Sequence, residues 1–106
     1  MHQEIINSLL QWIDANIDKP LSIEAVARKS GYSKWYIQRM FRSVTHHTLA
    51  DYIRQRRLTL AAEALKNTHK PIFDIAMDVG FASQQTFSRV FRREYATTPT
   101  DYRHHA

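Results

Sequence analysis

One helix pattern occurs twice in this chain, with its two copies about fifty residues apart. In each copy, apolar residues three and four positions apart line one helical face, and polar residues with arginine line the opposite face. The apolar faces contain Ile37, Met40, Phe41 and Val44 in the first copy and Phe87, Val90 and Phe91 in the second. The polar faces, here named the outer ridges, contain Trp35, Gln38, Arg39 and Arg42 in the first copy and Gln85, Ser88, Arg89 and Arg92 in the second. The chain is therefore expected to fold around two related helices, each buried on one side and open on the other.

The repeat also covers the residues upstream of each ridge. The matching positions are Ile23, Val26, Ala27 and Gly31 in the first copy and Ile72, Ile75, Ala76 and Gly80 in the second, at an offset of 49. One inserted residue after Phe81 raises the offset to 50 for the ridges themselves. Each glycine can take the positive φ of a tight turn, and Ser33 and Ser83 are suited to cap the helices that follow. A short helix, a turn and a second helix make a helix-turn-helix, so the sequence predicts two of them.

Three further helices complete the predicted fold. A first amphipathic helix covers residues 4–17, a long helix covers residues 48–67, and a short final helix follows Thr98 and Pro99. The long helix opens with the capping pair Thr48 and Asp51. Its buried side is predicted to contain Tyr52, Ile53, Leu60, Ala61, Ala64 and Leu65. The result is an all-α fold of about seven helices: an N-terminal helix-turn-helix subdomain at 1–47, a linker helix at 48–67 and a C-terminal helix-turn-helix subdomain at 68–106.

Size and composition exclude several classes of protein. A chain of 106 residues forms one small domain or two very small ones, which argues against a large enzyme. It contains no cysteine, which excludes disulfides and thiolate metal sites and fits a reducing compartment. We find no export signal at its start and no apolar run near the ~18 residues of a membrane span. We therefore expect a cytoplasmic protein without membrane contact.

Residue patterns for catalysis or metal binding are weak. The histidine pairs at 46–47 and 104–105 lack a third ligand at suitable spacing, and adjacent residues of a helix point about 100° apart. No glycine-rich phosphate loop, nucleophile elbow or paired-carboxylate spacing stands out. We expect no enzyme activity, no cofactor and no metal site.

Basic side chains are concentrated after residue 30. Residues 1–30 hold three basic and four acidic side chains, whereas residues 31–106 hold twelve basic and six acidic ones. The formal net charge of the whole chain is +5. Clustered arginine suits a polyanion such as nucleic acid, because each contact with phosphate releases condensed counterions.

The residue types on the outer ridges are those that read the major groove of DNA. Arginine and glutamine can donate two hydrogen bonds to a base edge, and the ring of Trp35 can contact a thymine methyl group. Arg42 and Arg92 lie one turn further along, where a helix in the groove would approach the sugar-phosphate backbone. Base contacts are predicted for Trp35, Gln38, Arg39, Gln84, Gln85, Thr86, Ser88 and Arg89. Backbone contacts are predicted for Ser33, Lys34, Arg42, Arg54, Arg57, Ser83 and Arg92.

The residue pattern alone leaves other functions open. A non-specific architectural DNA-binding protein would carry the same basic charge and would bind random DNA as tightly as any selected site. A protein-interaction module would use Trp35 as an anchor for a partner protein, and its binding would lack the steep salt dependence of counterion release. A metal-dependent enzyme that uses the histidine pairs is a more distant alternative.

The chain resembles the AraC/XylS family of transcriptional regulators in five segments that cover nearly its full length. They are S-G-Y-S-K-W-Y-I-Q-R-M-F-R at 30–42, Y-I-R-Q-R-R-L at 52–58, P-I-F-D-I-A-M-D-V-G-F at 71–81, S-Q-Q-T-F-S-R-V-F-R-R at 83–93 and T-P-T-D-Y-R at 98–103. The DNA-binding domain of this family has two helix-turn-helix units joined by a long helix. The resemblance implies that the third and sixth helices enter two successive major-groove segments, so that a monomer reads an asymmetric site.

Within the family, the chain is similar to the small activators that stand alone, without a ligand-binding or dimerisation domain. This resemblance implies control of stress-response promoters, among them those of oxidative defence and drug efflux. Activation then implies a contact with bacterial RNA polymerase, through the C-terminal domain of its α chain and through its σ factor. Without an effector domain, activity would follow the concentration of the protein and would need no small-molecule effector.

Overall fold

The computed structural model describes residues 2–105, and over these residues it contains seven helices and no strand. The helices are α1 (His2–Ala15), α2 (Ile23–Ser30), α3 (Lys34–Thr45), α4 (Leu49–Asn67), α5 (Ile72–Asp78), α6 (Gln84–Tyr95) and α7 (Pro99–His105). The predicted all-α class with about seven helices is therefore confirmed. Within residues 2–105, no helix has both the length and the apolar character to cross a membrane.

The chain divides into two compact units, and the boundary lies inside α4, between Arg56 and Arg57. The first unit contains α1, α2, α3 and the beginning of α4. The second unit contains the remainder of α4 together with α5, α6 and α7. The helix that the sequence assigned as a linker therefore supplies buried residues to both units.

The first unit buries one apolar face of each helix. α1 and α2 both pack against α3. The buried side chains are Ile6, Leu9, Ile13, Ile17, Val26, Ala27, Ile37, Met40, Phe41, Leu49 and Ile53. Full burial of a side chain such as Phe41 stabilises the fold by about 1.5–3 kcal/mol. Because residues three and four apart share a helical face, the burial of Ile37, Met40 and Phe41 leaves the opposite face of α3 open.

The second unit has a core built around two phenylalanine rings of α6. Phe87 and Phe91 are fully buried, and α5 and α7 both pack against α6. The other buried core residues are Leu58, Ala61, Ala62, Leu65, Ile75, Ala76 and Val79. Leu58 and Ala62 are absent from the predicted buried side of α4, whereas Tyr52, Leu60 and Ala64 from that prediction are only partly buried.

The predicted caps and turn are present at the start of the ridge helices. Gly31 ends α2 at φ 80°, a left-handed conformation that glycine takes without steric cost, and its N–H donates to the carbonyl of Ala27. The Ser33 hydroxyl accepts the N–H of Tyr36 at 3.1 Å, and the Ser83 hydroxyl accepts the N–H of Thr86 at 3.0 Å. These bonds fix where α3 and α6 begin.

The repeat continues past the ridges, to positions not included in the pattern described above. At the ends of α3 and α6, His46 and Ala96 both have positive φ, 64° and 60°, although neither is glycine. Thr48 then caps α4, and Thr98 caps α7 in the same way, each hydroxyl accepting an N–H at 3.1 Å. Tyr52 and Tyr102 follow, and each ring packs edge-on against a buried phenylalanine, Phe41 or Phe91. α7 is therefore the equivalent of the first turns of α4.

Candidate nucleic-acid interface

The outer ridge of α3 is exposed along its whole length. Trp35 is 63% exposed, which is unusual for so large an apolar ring, and Gln38, Arg39 and Arg42 are also exposed. The ridge lies opposite the buried face of the same helix. Packing within the first unit therefore gives no account of the tryptophan.

Trp35 and Arg39 form a stacked pair on this ridge. The guanidinium carbon of Arg39 lies over the Trp35 ring, 4.5 Å from the ring centroid. This distance is within the range of a cation–π interaction. The two residues are four positions apart, the spacing at which side chains on one helix face meet, so the pair had a sequence signal although it was not predicted.

Two clefts of the first unit flank the stacked pair, and both are lined by Trp35 and Arg39. The larger has a volume of about 370 Å³ and combines apolar side chains, such as Leu21 and Ile53, with Gln38 and Arg42. The smaller has a volume of about 330 Å³ and is also lined by His2, Tyr36, Met40 and Ser43. The stacked pair therefore projects between two open clefts.

The outer ridge of α6 has the same character but a different detail. Gln84, Gln85, Arg89 and Arg92 are exposed, whereas Thr86 and Ser88 are half-buried. The hydroxyl of Ser83 donates to that of Thr86 at 3.0 Å, so both hydroxyls are engaged in the cap. Gln85 occupies the position equivalent to Trp35, and Arg89 therefore has no neighbouring ring at that position.

The four ridge arginines differ from other basic side chains in their charge partners. Among the ion pairs of residues 2–105, none includes Arg39, Arg42, Arg89 or Arg92. Each is exposed and keeps all its donors available to an external anion.

Two other residues predicted to contact the DNA backbone, Lys34 and Arg54, already have charge partners within the chain. Lys34 pairs with Glu24 at 3.3 Å, and Arg54 pairs with Asp51 three residues earlier. A hydrogen bond from its own backbone N–H, together with Lys34, holds the pKa of Glu24 below its ordinary value. Hydrogen bonds from Arg54 and then from Thr48 hold the pKa of Asp51 below its ordinary value in the same way.

Arg57 is half-buried, and burial lowers the pKa of its guanidinium. The hydroxyls of Ser33 and Ser83 already accept N-cap hydrogen bonds. An anion at these positions would therefore be bound mainly by backbone N–H groups of the first helical turn. The structure therefore separates the predicted residues into exposed, unpaired ridge arginines and residues with an internal partner. The sequence did not identify Glu24 as the partner of Lys34, because the two residues lie on different helices.

Comparison with known proteins agrees with this architecture. A family model described as a helix-turn-helix domain matches residues 26–105. Regulatory protein SoxS of Salmonella typhimurium is 70% identical over 103 residues, which cover 97% of this chain and 96% of SoxS.

Solved structures of regulator domains share the fold. The C-terminal domain of AraT, a response regulator from Geobacillus stearothermophilus, is 29% identical, with a TM-score of 0.92 and coverage of 96% of this chain and 85% of that one. A transcriptional regulator of the AraC-type DNA-binding class from Chromobacterium violaceum is 30% identical, with a TM-score of 0.85 and coverage of 95% and 90%. With both the matched domain and a relative that is similar over nearly its full length, the chain belongs to the AraC/XylS family of helix-turn-helix transcriptional regulators.

Proposed function

We propose that this transcriptional regulator binds duplex DNA through α3 and α6, each of which enters one segment of the major groove. The observation that carries the proposal is the repeated arrangement of exposed arginines, unpaired among residues 2–105, on two equivalent helices. An arginine aimed into the groove can donate two hydrogen bonds to guanine O6 and N7, and glutamine can form two with adenine. The two helices differ in their outward residues, so the chain reads an asymmetric site as a monomer.

The proposed contacts fall into two sets. Base edges are read by Trp35, Gln38, Arg39, Gln84, Gln85, Thr86, Ser88 and Arg89. The DNA backbone is held by Ser33, Lys34, Arg42, Arg54, Arg57, Ser83 and Arg92. Within the second set we expect Arg42 and Arg92 to contribute most, because Lys34 and Arg54 must first exchange a carboxylate for a phosphate.

The biological role that we propose is activation of stress-response promoters, including those of oxidative defence and drug efflux. The 70% identity to regulatory protein SoxS over nearly the whole chain supports this assignment. Activation proceeds in the cytoplasm by recruitment of bacterial RNA polymerase. The regulator contacts the C-terminal domain of the polymerase α subunit and the σ factor.

Selection of bound sequences from a random DNA pool tests the proposal. The selected site should be asymmetric, and it should bind about 10³-fold or more tightly than random DNA at the same salt concentration. Arg89→Ala should lower affinity for the selected site much more than affinity for random DNA. If selected and random DNA bound equally, the chain would be a non-specific architectural protein. If binding occurred without a steep salt dependence, DNA would not be its partner.

A further inference from the structure

The two ridge helices differ in how their shared arginine is held. Arg39 and Arg89 are equivalent, but the residue four positions earlier is Trp35 in α3 and Gln85 in α6. Arg39 lies over the tryptophan ring at 4.5 Å. Among the described residues, Arg89 has no such ring contact.

We infer that Trp35 is a positioning residue, whose role in the proposed DNA recognition is to hold the Arg39 guanidinium ready for a guanine. The inference rests on the proposed function and assigns a mechanism within it. A free arginine loses rotamer freedom when it binds, so an arginine that is already held by a ring loses less. Trp35 thereby raises the base-pair discrimination of Arg39, in addition to the base contact proposed for the ring itself.

The geometry allows stacking and base reading at the same time. A guanidinium over a ring face is attracted through its charge, and the N–H donors that point away from the ring stay available for hydrogen bonds. The guanidinium of Arg39 is not paired with any carboxylate of residues 2–105. The clefts on either side leave the stacked pair free to project as one object.

The exposure of Trp35 excludes a simple packing role. At 63% exposed, the ring contributes little to the core of the first unit, whose buried residues lie on the other face of α3. Its removal is therefore expected to leave the fold intact. This makes substitution at Trp35 a usable test.

The test is a double-mutant cycle on DNA binding by the full chain. The base pair read by Arg39 is first identified as the one whose discrimination is lost in Arg39→Ala. An exposed cation–π contact corresponds to about 2- to 5-fold in affinity, so Trp35→Leu should reduce discrimination at that base pair by about this factor. Trp35→Phe keeps an aromatic face and should restore part of the loss. In the Arg39→Ala background, Trp35→Leu should change that discrimination no further.

The second unit supplies a matched comparison. Gln85→Leu replaces the amide at the position equivalent to Trp35 with an apolar side chain, and it is expected to change recognition at the base that Gln85 itself reads. It should leave the discrimination by Arg89 at its own base pair unchanged. A loss at the Arg89 base pair of the same size as that seen for Trp35→Leu would overturn the assignment of a special role to the ring.

Other results would also contradict the inference. If Trp35→Leu preserved discrimination at the Arg39 base pair and lost it only at a neighbouring one, in both backgrounds, the ring would read a base without positioning Arg39. If Trp35→Leu lowered the thermal midpoint and weakened all DNAs equally, its role would be structural. A wild-type chain that bound all DNAs equally would refute the proposed function itself, and that result is obtained before any variant is compared.

Discussion

Phe41 and Phe91 allow the two units to be compared, because they are equivalent in the repeat and both are fully buried. The rings around Phe91 are those of Phe87, Tyr95 and Tyr102, at centroid distances of 5.6, 4.4 and 5.3 Å. Among the described residues, Phe41 has one such neighbour, Tyr52 at 5.6 Å. The two phenylalanines therefore have the same burial but different aromatic surroundings.

Replacement of either residue by leucine keeps most of the apolar volume and removes the aromatic contacts. An aromatic pair stabilises by about 0.5–1.5 kcal/mol beyond the burial of its surface. Phe91 has two more pairs than Phe41, so Phe91→Leu should lower the free energy of unfolding by about 1–3 kcal/mol more than Phe41→Leu.

Urea unfolding measures this difference. Far-UV circular dichroism reports the helices of both units, and the midpoint and slope of the transition give the free energy of unfolding for each variant. Equal losses for the two variants, or a larger loss for Phe41→Leu, would refute the reasoning that ring contacts hold α6 more firmly than α3. A change in slope would instead indicate that the substitution altered the amount of surface exposed on unfolding.

Three further predictions concern charge. Arg39→Ala should cost about 1–3 kcal/mol on the selected site with little loss on random DNA, whereas Arg42→Ala should weaken both alike, and fluorescence anisotropy with the two DNAs separates these outcomes. Glu24→Gln should free Lys34 from the carboxylate that it must leave to contact phosphate, so both DNAs should bind more tightly. Lys34→Ala should make the slope of log affinity against log salt shallower by about 0.9, and an unchanged slope would exclude Lys34 as a phosphate contact. The pKa of Asp51 is lowered from 3.8 in the folded chain, so its carboxylate stabilises the fold above that pH and loses this effect as the pH falls through the folded value. Asp51→Asn should therefore be less stable than wild type in thermal unfolding at neutral pH and should approach it as the pH falls through the folded pKa, and a constant gap would be evidence against this linkage.

Local signals in the sequence predicted much of this fold. Serine at the N-caps, glycine after α2 and the three-and-four spacing of α3 each act over one or two helical turns, and the structure has all of them. The exposure of the outer ridges follows from the same spacing, because one face of a helix must be buried and the other is then open.

Several features of the helices were not predicted. Burial of Leu58 and Ala62 arises because α4 supplies residues to two units, so its buried positions do not follow a single face. The left-handed conformation of His46 and Ala96 has no sequence signal of the kind that glycine provides, yet both are C-caps whose N–H donates to a carbonyl four residues earlier. α1 ends at Ala15, where the Asn16 side chain donates to the carbonyl of Trp12 at 2.8 Å and so satisfies a free acceptor at the helix end.

The partners of the predicted site residues within the chain could not be predicted from the sequence either. Lys34 and Glu24 lie ten positions apart on different helices, and only the packing of those helices brings them to 3.3 Å. The stacked pair of Trp35 and Arg39 could have been predicted from its spacing on one helix. What the spacing alone does not give is that the Arg39 guanidinium lies over the Trp35 ring.

The extended repeat has a consequence for how new DNA specificities can arise in such a regulator. The same contacts hold both ridge helices in place. In each copy a serine hydroxyl caps the helix, and a tyrosine ring packs edge-on against a buried phenylalanine. The positions that differ, Trp35 against Gln85 and Gln38 against Ser88, take no part in those contacts. Under the proposed function, the residues that read bases can therefore change in one unit while the other unit, and the contacts that hold both ridge helices, stay the same.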